Sequence, residues 1–175
     1  MPKKSSILKF EIISTIFIMI VGTLLHFTFV WSNNNPLVGT FSAVNESTWE
    51  HLKLLFFPML ISTIIGFSYK GKVIPNYLCA KVLGIILAMS FVVIFFYTYV
   101  GIIGTNFAIV DIGSFFIAVG LGQYVAYQKM QSTSSCSNVI PIIILLVLCS
   151  CFLIFTFFPL HIALFEDPII GSFGI

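Results

Sequence analysis

The sequence contains no arginine in 175 residues, and only 8% of its residues carry charge. Without guanidinium groups, bidentate recognition of phosphate and carboxylate is lost, and nucleic-acid binding is excluded as a function. Soluble domains carry about 25% charged residues. A chain this poor in charge, with 59% hydrophobic residues and a mean hydropathy of +1.11, has to be solvated by lipid. Paired cysteine spacing is missing too. Cys79, Cys136, Cys149 and Cys151 fit no zinc or redox motif and read as free thiols. Cys149 and Cys151 point about 200° apart on a helix, as packing residues do. A cleavable leader is also unexpected, because the apolar run from 10 to 31 is too long for a signal-peptide core and no A-x-A site follows it.

What is present is a set of five apolar segments, each near the roughly 20 residues that cross about 30 Å of hydrocarbon. They cover about 10–31, 48–69, 77–100, 107–128 and 139–159. The expected fold is therefore all-α, an integral membrane bundle of five transmembrane helices forming one domain over 1–175. Residues 32–47 form a loop and 160–175 a C-terminal tail. Seven of the eight lysines fall on the side of the N-terminus, and only Lys53 falls on the other. By the positive-inside rule the N-terminus is expected inside and the C-terminus outside. Glu46, Glu50, Asp111, Glu166 and Asp167 then lie in the outer half, with Glu11 alone inside.

Ionisable groups at membrane depth cost about 2.5 to 3.5 kcal/mol on insertion scales, so each requires a partner, water or a function. His26 and Asp111 both lie within spans, a short way below the outer surface. Asp111 shares a stripe with Ser114, Ala118 and Gly122, a small-residue face suited to close helix packing. His26 lies on the face of Gly22 and Thr23. A His–Asp hydrogen bond joining two helices is the structural account of this pair. The functional account rests on convergence: Glu46, Glu50, His51, His161, Glu166 and Asp167 are expected at the same outer end. Histidines and carboxylates together suit a divalent, zinc-like metal.

The densest polar stretch is Glu46-Ser47-Thr48-Trp49-Glu50-His51-Leu52-Lys53, followed by an apolar run containing Pro58. Ser47 and Glu50 match the S-x-x-E capping box at a helix start, and Trp49 suits an interfacial anchor. Glu46 and His51 are left over by that account. If Glu46 is already helical, Glu46, Glu50 and Lys53 share one patch and His51 faces elsewhere. Such a patch suits proton transfer or cation binding, and the spacing does not choose between them.

The stretch Val44-Asn45-Glu46-Ser47-Thr48-Trp49-Glu50-His51-Leu52-Lys53, with the ending His161-Ile162-Ala163-Leu164-Phe165-Glu166-Asp167-Pro168, resembles a family of small bacterial multi-pass membrane proteins of unknown function. That resemblance covers the chain and implies a bacterial cytoplasmic membrane location, without a mechanism. A more distant likeness is to the membrane hydrolases related to alkaline ceramidases and progestin-type receptors. In it Glu46, His26, Asp111 and His161 would take comparable zinc-binding parts, although five helices replace seven and no H-x-x-x-H pair is present. The expectation is an outward-facing site that binds a cation, metal or small polar ligand. Its ligand or cation candidates are Glu46, Glu50, His51, Lys53, Asp111 and Asp167, and its metal candidates are His26, His161, Asp111 and Glu46. A metal-dependent membrane hydrolase, and a structural, partner-binding or transporter subunit acting as a homo-oligomer or with a membrane partner, remain open beside it. The lipid bilayer is the one partner that composition requires.

Overall fold

A computed structural model of the chain describes residues 4–71, 73–132 and 135–175. Lys3 and Lys72, which contribute to the lysine asymmetry, lie outside the described residues. The fold is all-helical, with α1 Lys4–Trp31, a short α2 Pro36–Gly39, α3 Thr48–Gly66, α4 Tyr77–Ile103, α5 Ala108–Met130 and α6 Val139–Phe157. Among the described residues, five helices are long and apolar enough to cross a membrane: α1, α3 with its continuation to Gly71, α4, α5 and α6. Three departures from the sequence reading are local. The polar start of α1 is already helical from Lys4, and the 32–47 loop contains the single turn α2, opened by Pro36 after an Asn35 side chain that accepts from Leu37 N. Beyond Gly66 the helix widens to a π-turn over Phe67–Gly71.

Helix α1 packs on α3 and α5, α4 packs on the same two helices from the other side, and α6 flanks α4 and α3. Small residues set the closest approaches. A Cβ on Gly84 would lie 2.4 Å from Gly122 O, and one on Gly22 would lie 2.5 Å from Leu54 O. The α4–α5 and α1–α3 backbones can come this near only because those side chains are missing. Ile18, Leu55, Phe56, Met59, Ile85, Ala118, Val119 and Phe152 fill the middle of the bundle. Ile13, Ile16 and Ile20 of α1, like most of α6, remain exposed to the surroundings, as lipid-facing positions do.

Two sequence expectations are corrected here. Cys79 and Cys136 are joined by a disulfide, whereas Cys149 and Cys151 are free. The pairing could not be read from spacing because 57 residues separate the two thiols. The fold brings the start of α4 against the end of α5 and the loop after it, where Asn76 Nδ2 donates to Lys129 O at 2.7 Å and to Ser132 O at 3.4 Å. Trp49, expected at an interface, is buried between Phe152 and Phe165, with ring centroids 4.6 and 4.9 Å away.

Candidate functional site

The start of α3 is fixed by Ser47, whose extended backbone makes it the N-cap and whose hydroxyl accepts from Glu50 N. The chain before it is therefore not helical, and the helical wheel does not extend back to Glu46. Glu46 consequently turns away from Glu50 and Lys53 and toward the two histidines, the reverse of the patch inferred from the wheel. Its backbone N donates to Asp167 Oδ2 at 3.0 Å, so the C-terminal segment holds it in place.

The resulting cluster joins α1, the loop and α3. Glu46 Oε2 lies 3.4 Å from His51 Nε2, and Glu46 Oε1 lies 3.8 Å from His26 Nε2. The two imidazole centroids are 5.3 Å apart. One potential ligand atom from each of the three residues falls within 4.8 Å of the others. All three side chains are partly exposed.

The orientation of His51 gives this cluster its chemistry. His51 Nδ1 lies 2.9 Å from Ser47 O, a carbonyl that can only accept, so Nδ1 carries a proton. Nε2 is then directed at the Glu46 carboxylate. A neutral ring would set its lone pair against a negative oxygen, which is favourable only with a proton or another cation between them. Ligating histidines are oriented by this same kind of second hydrogen bond. His26 Nδ1 is buried without a partner. Contact with His51 holds the Glu46 carboxyl below the usual carboxylate range, against the opposing effect of partial burial.

The other candidates are placed differently. Glu50 and Lys53 form a buried ion pair at 2.5 Å. Lys53 Nζ also donates to Gly39 O at 2.7 Å and Thr156 Oγ1 at 2.9 Å, while Glu50 Oε2 accepts from Val44 N at 3.0 Å. Only half of the capping box forms, because the Glu50 carboxylate is committed to this joint. Asp111 accepts from Tyr99 and Asn106, which ties the α4–α5 turn together in place of a bond to His26. It remains in the electrostatic environment of His51. Asp167 is buried and accepts from the backbone N of Glu46, Ile169 and Ile170, which makes it a clamp. His161 is exposed on the tail against Phe173, outside the three-residue cluster.

Sequence reading passed over a second polar group at the lysine-bearing end. Lys81 Nζ contacts Glu11 Oε2 at 2.6 Å and Gln123 Oε1 at 3.1 Å. Glu11 and Lys81 are 70 residues apart, so no local motif links them. The available signal was that α1, α4 and α5 each place one long polar side chain at similar depth from the same end.

These features define a class: a small helical membrane protein of five candidate spans with a two-histidine, one-carboxylate cluster at the end opposite most of its lysines. The chain belongs to DUF6512, a family of unknown function, whose match runs over residues 1–175. No curated protein and no solved structure matches it.

Proposed function

We propose that the protein binds a divalent metal ion of the zinc class at His26, Glu46 and His51, on the outer face of a bacterial cytoplasmic membrane. The carrying observation is the His51 ring, fixed by Ser47 O so that Nε2 meets the Glu46 carboxylate. Metal–ligand bonds of about 2.0 to 2.2 Å put neighbouring ligands of a tetrahedral ion roughly 3.3 to 3.6 Å apart. The 3.4 Å and 3.8 Å separations run from the two oxygens of Glu46, and one ligand atom from each residue lies within 4.8 Å of the others, so the three side chains must draw together by about 1 Å to complete the site. The outward assignment rests on the lysine asymmetry.

The test is a zinc titration of the purified full chain after treatment with chelator. One high-affinity equivalent is expected, lost in His51→Ala and Glu46→Gln and kept in His161→Ala. Wild-type protein that takes up no zinc, or both site variants binding it normally, would defeat the reading.

Three protein ligands leave a fourth position for water, as at catalytic zinc sites. That feature supports a membrane-embedded metal-dependent hydrolase as the second reading. Hydrolysis of membrane-lipid esters or amides that stops with chelator and returns with zinc would favour it.

A further inference from the structure

At the lysine-bearing end, Glu11, Lys81 and Gln123 are each at most 3% exposed. Their hydrogen bonding is incomplete. Glu11 Oε2 and Gln123 Oε1 both accept from the Lys81 ammonium, while Glu11 Oε1 and Gln123 Nε2 are buried without a partner. An unpaired polar atom in an apolar interior is costly, and buried structural networks are normally complete. Here an acceptor on α1 and a donor on α5 are left over around one shared ammonium, and Glu11 Oε1 is free to accept a proton.

We propose that this cluster is a proton-exchange site, in which Glu11 Oε1 takes up a proton from the lysine-bearing side of the membrane and returns it there. The step forms one O–H bond on Oε1, and the proton comes from water or hydronium at that side. Lys81 keeps its three N–H protons, and the cluster charge rises from zero to plus one. The surroundings supply what the charged state needs. With Glu11 neutral, the ammonium retains Gln123 Oε1 at 3.1 Å and the face of Phe10, whose ring centroid lies 5.4 Å from Nζ.

Glu11 is seven residues into α1, about 10 Å along the helix from Lys4. The end of the bundle above it is polar, with Lys70 Nζ donating to Ser6 Oγ at 2.7 Å. The charged and titratable groups facing Glu11 are Lys81 and Tyr77 of α4. From α5 comes the uncharged Gln123, and α3 contributes Thr63 O, which accepts from Tyr77 Oη. In the other direction, Ile18, Leu55, Met59, Ile85 and Ala118 are fully or almost fully buried and close the middle of the bundle. Exchange is therefore assigned to one side only. Buried ionisable residues within spans serve proton relays in this way in other membrane proteins.

The experiment is infrared difference spectroscopy of the full chain in lipid nanodiscs, titrated between alkaline and acid pH. A carbonyl band from a protonated, buried carboxyl is expected to appear in wild type on acidification. It should vanish in Glu11→Gln and remain in Glu50→Gln/Lys53→Met, which removes the other buried pair without leaving an unpaired charge. Because Glu11→Gln leaves Lys81 unpaired and endangers folding, Glu11→Gln/Lys81→Met is measured beside it; that pair of neutral residues removes both charges and should also lack the band. A permanently ionised structural ion pair would give no Glu11-dependent band at any pH. That result, or a wild-type band that survives in the folded double variant, would overturn the proposal.

Discussion

Among the described residues are two buried Glu–Lys pairs of nearly equal length, Glu50–Lys53 at 2.5 Å and Glu11–Lys81 at 2.6 Å, and they are built in opposite ways. Glu50 and Lys53 are one helical turn apart, and each N–H of Lys53 has an oxygen to meet: Glu50, Gly39 O and Thr156 Oγ1. Glu50 in turn accepts from Val44 N at Oε2 and has Thr156 Oγ1 3.5 Å from Oε1, so four segments meet at one joint in which neither charged group has an atom without a partner. Glu11 and Lys81 come from different helices and leave a carboxylate oxygen and an amide nitrogen unmet. Saturation is what a purely structural pair needs, since desolvation is offset only when every lone pair and proton is used. The comparison separates a joint from a working site, although both are the same two residue types in the same apolar medium.

The largest expected effect breaks the joint. Lys53→Met leaves the Glu50 carboxylate buried without its cation, and losing one partner of a buried pair costs about 3 to 5 kcal/mol. Protonating Glu50 gives only partial relief, because Gly39 O stays buried without the donor that Lys53 supplied. Thermal unfolding in detergent should show a severe loss, partly restored in Glu50→Gln/Lys53→Met. Lys81→Met should cost less, about 1 to 3 kcal/mol, because the open oxygen of Glu11 can take a proton and discharge the site. Equal losses at Lys53 and Lys81 would erase the distinction between the two pairs.

A smaller effect concerns the clamp beneath the histidine cluster. Asp167→Asn weakens the hold on Glu46 N without touching a proposed ligand atom. Groups that orient a ligand typically contribute 10- to 100-fold to metal affinity. Zinc affinity should therefore fall roughly tenfold, with helix content unchanged by circular dichroism. An Asp167→Asn variant that binds zinc as wild type does would remove the tail from the site.

How much of this was legible depended on distance along the chain. The five spans follow from hydrophobic runs about as long as a bilayer needs, and Ser47 reads as a cap because its role is completed three residues away. The small-residue face Ser114, Ala118, Gly122 was also readable, since helical periodicity alone brings these positions together, and all three are buried. The Glu46–His51 contact was misassigned for a specific reason: the wheel assumes helix on both sides of Ser47, and the cap ends it there. The Glu11–Lys81 pair and the Cys79–Cys136 disulfide depend on helix order around the bundle, which no local pattern encodes. Trp49 was misplaced because an indole at a helix start suits an interface equally well until Phe152 and Phe165 are known to enclose it.

The smallest effect sharpens the comparison from the exposed side. Unlike the two buried pairs, Glu46 is 43% exposed in its side chain, so solvent screens its interactions. Its folded-state carboxyl titrates below the usual carboxylate range, chiefly through His51. A depressed carboxylate contributes stability that is fully present above its unfolded value, about 4.3 for Glu. That contribution is lost as pH falls through the lower, folded value. In metal-free protein, the difference in melting temperature between wild type and Glu46→Gln should shrink below about pH 5, as Glu46 takes up a proton, and shrink again above about pH 7, as His51 loses the proton that faces the carboxylate. With zinc present the window moves upward, because protons compete for the histidines near their ordinary range of about 6.5. Zinc-dependent stabilisation should then disappear between roughly pH 7 and pH 5.5 in wild type, and Glu46→Gln should show none at any pH. A zinc effect that persists undiminished below pH 5 would place the bound ion on carboxylates alone and take the two histidines out of the coordination set.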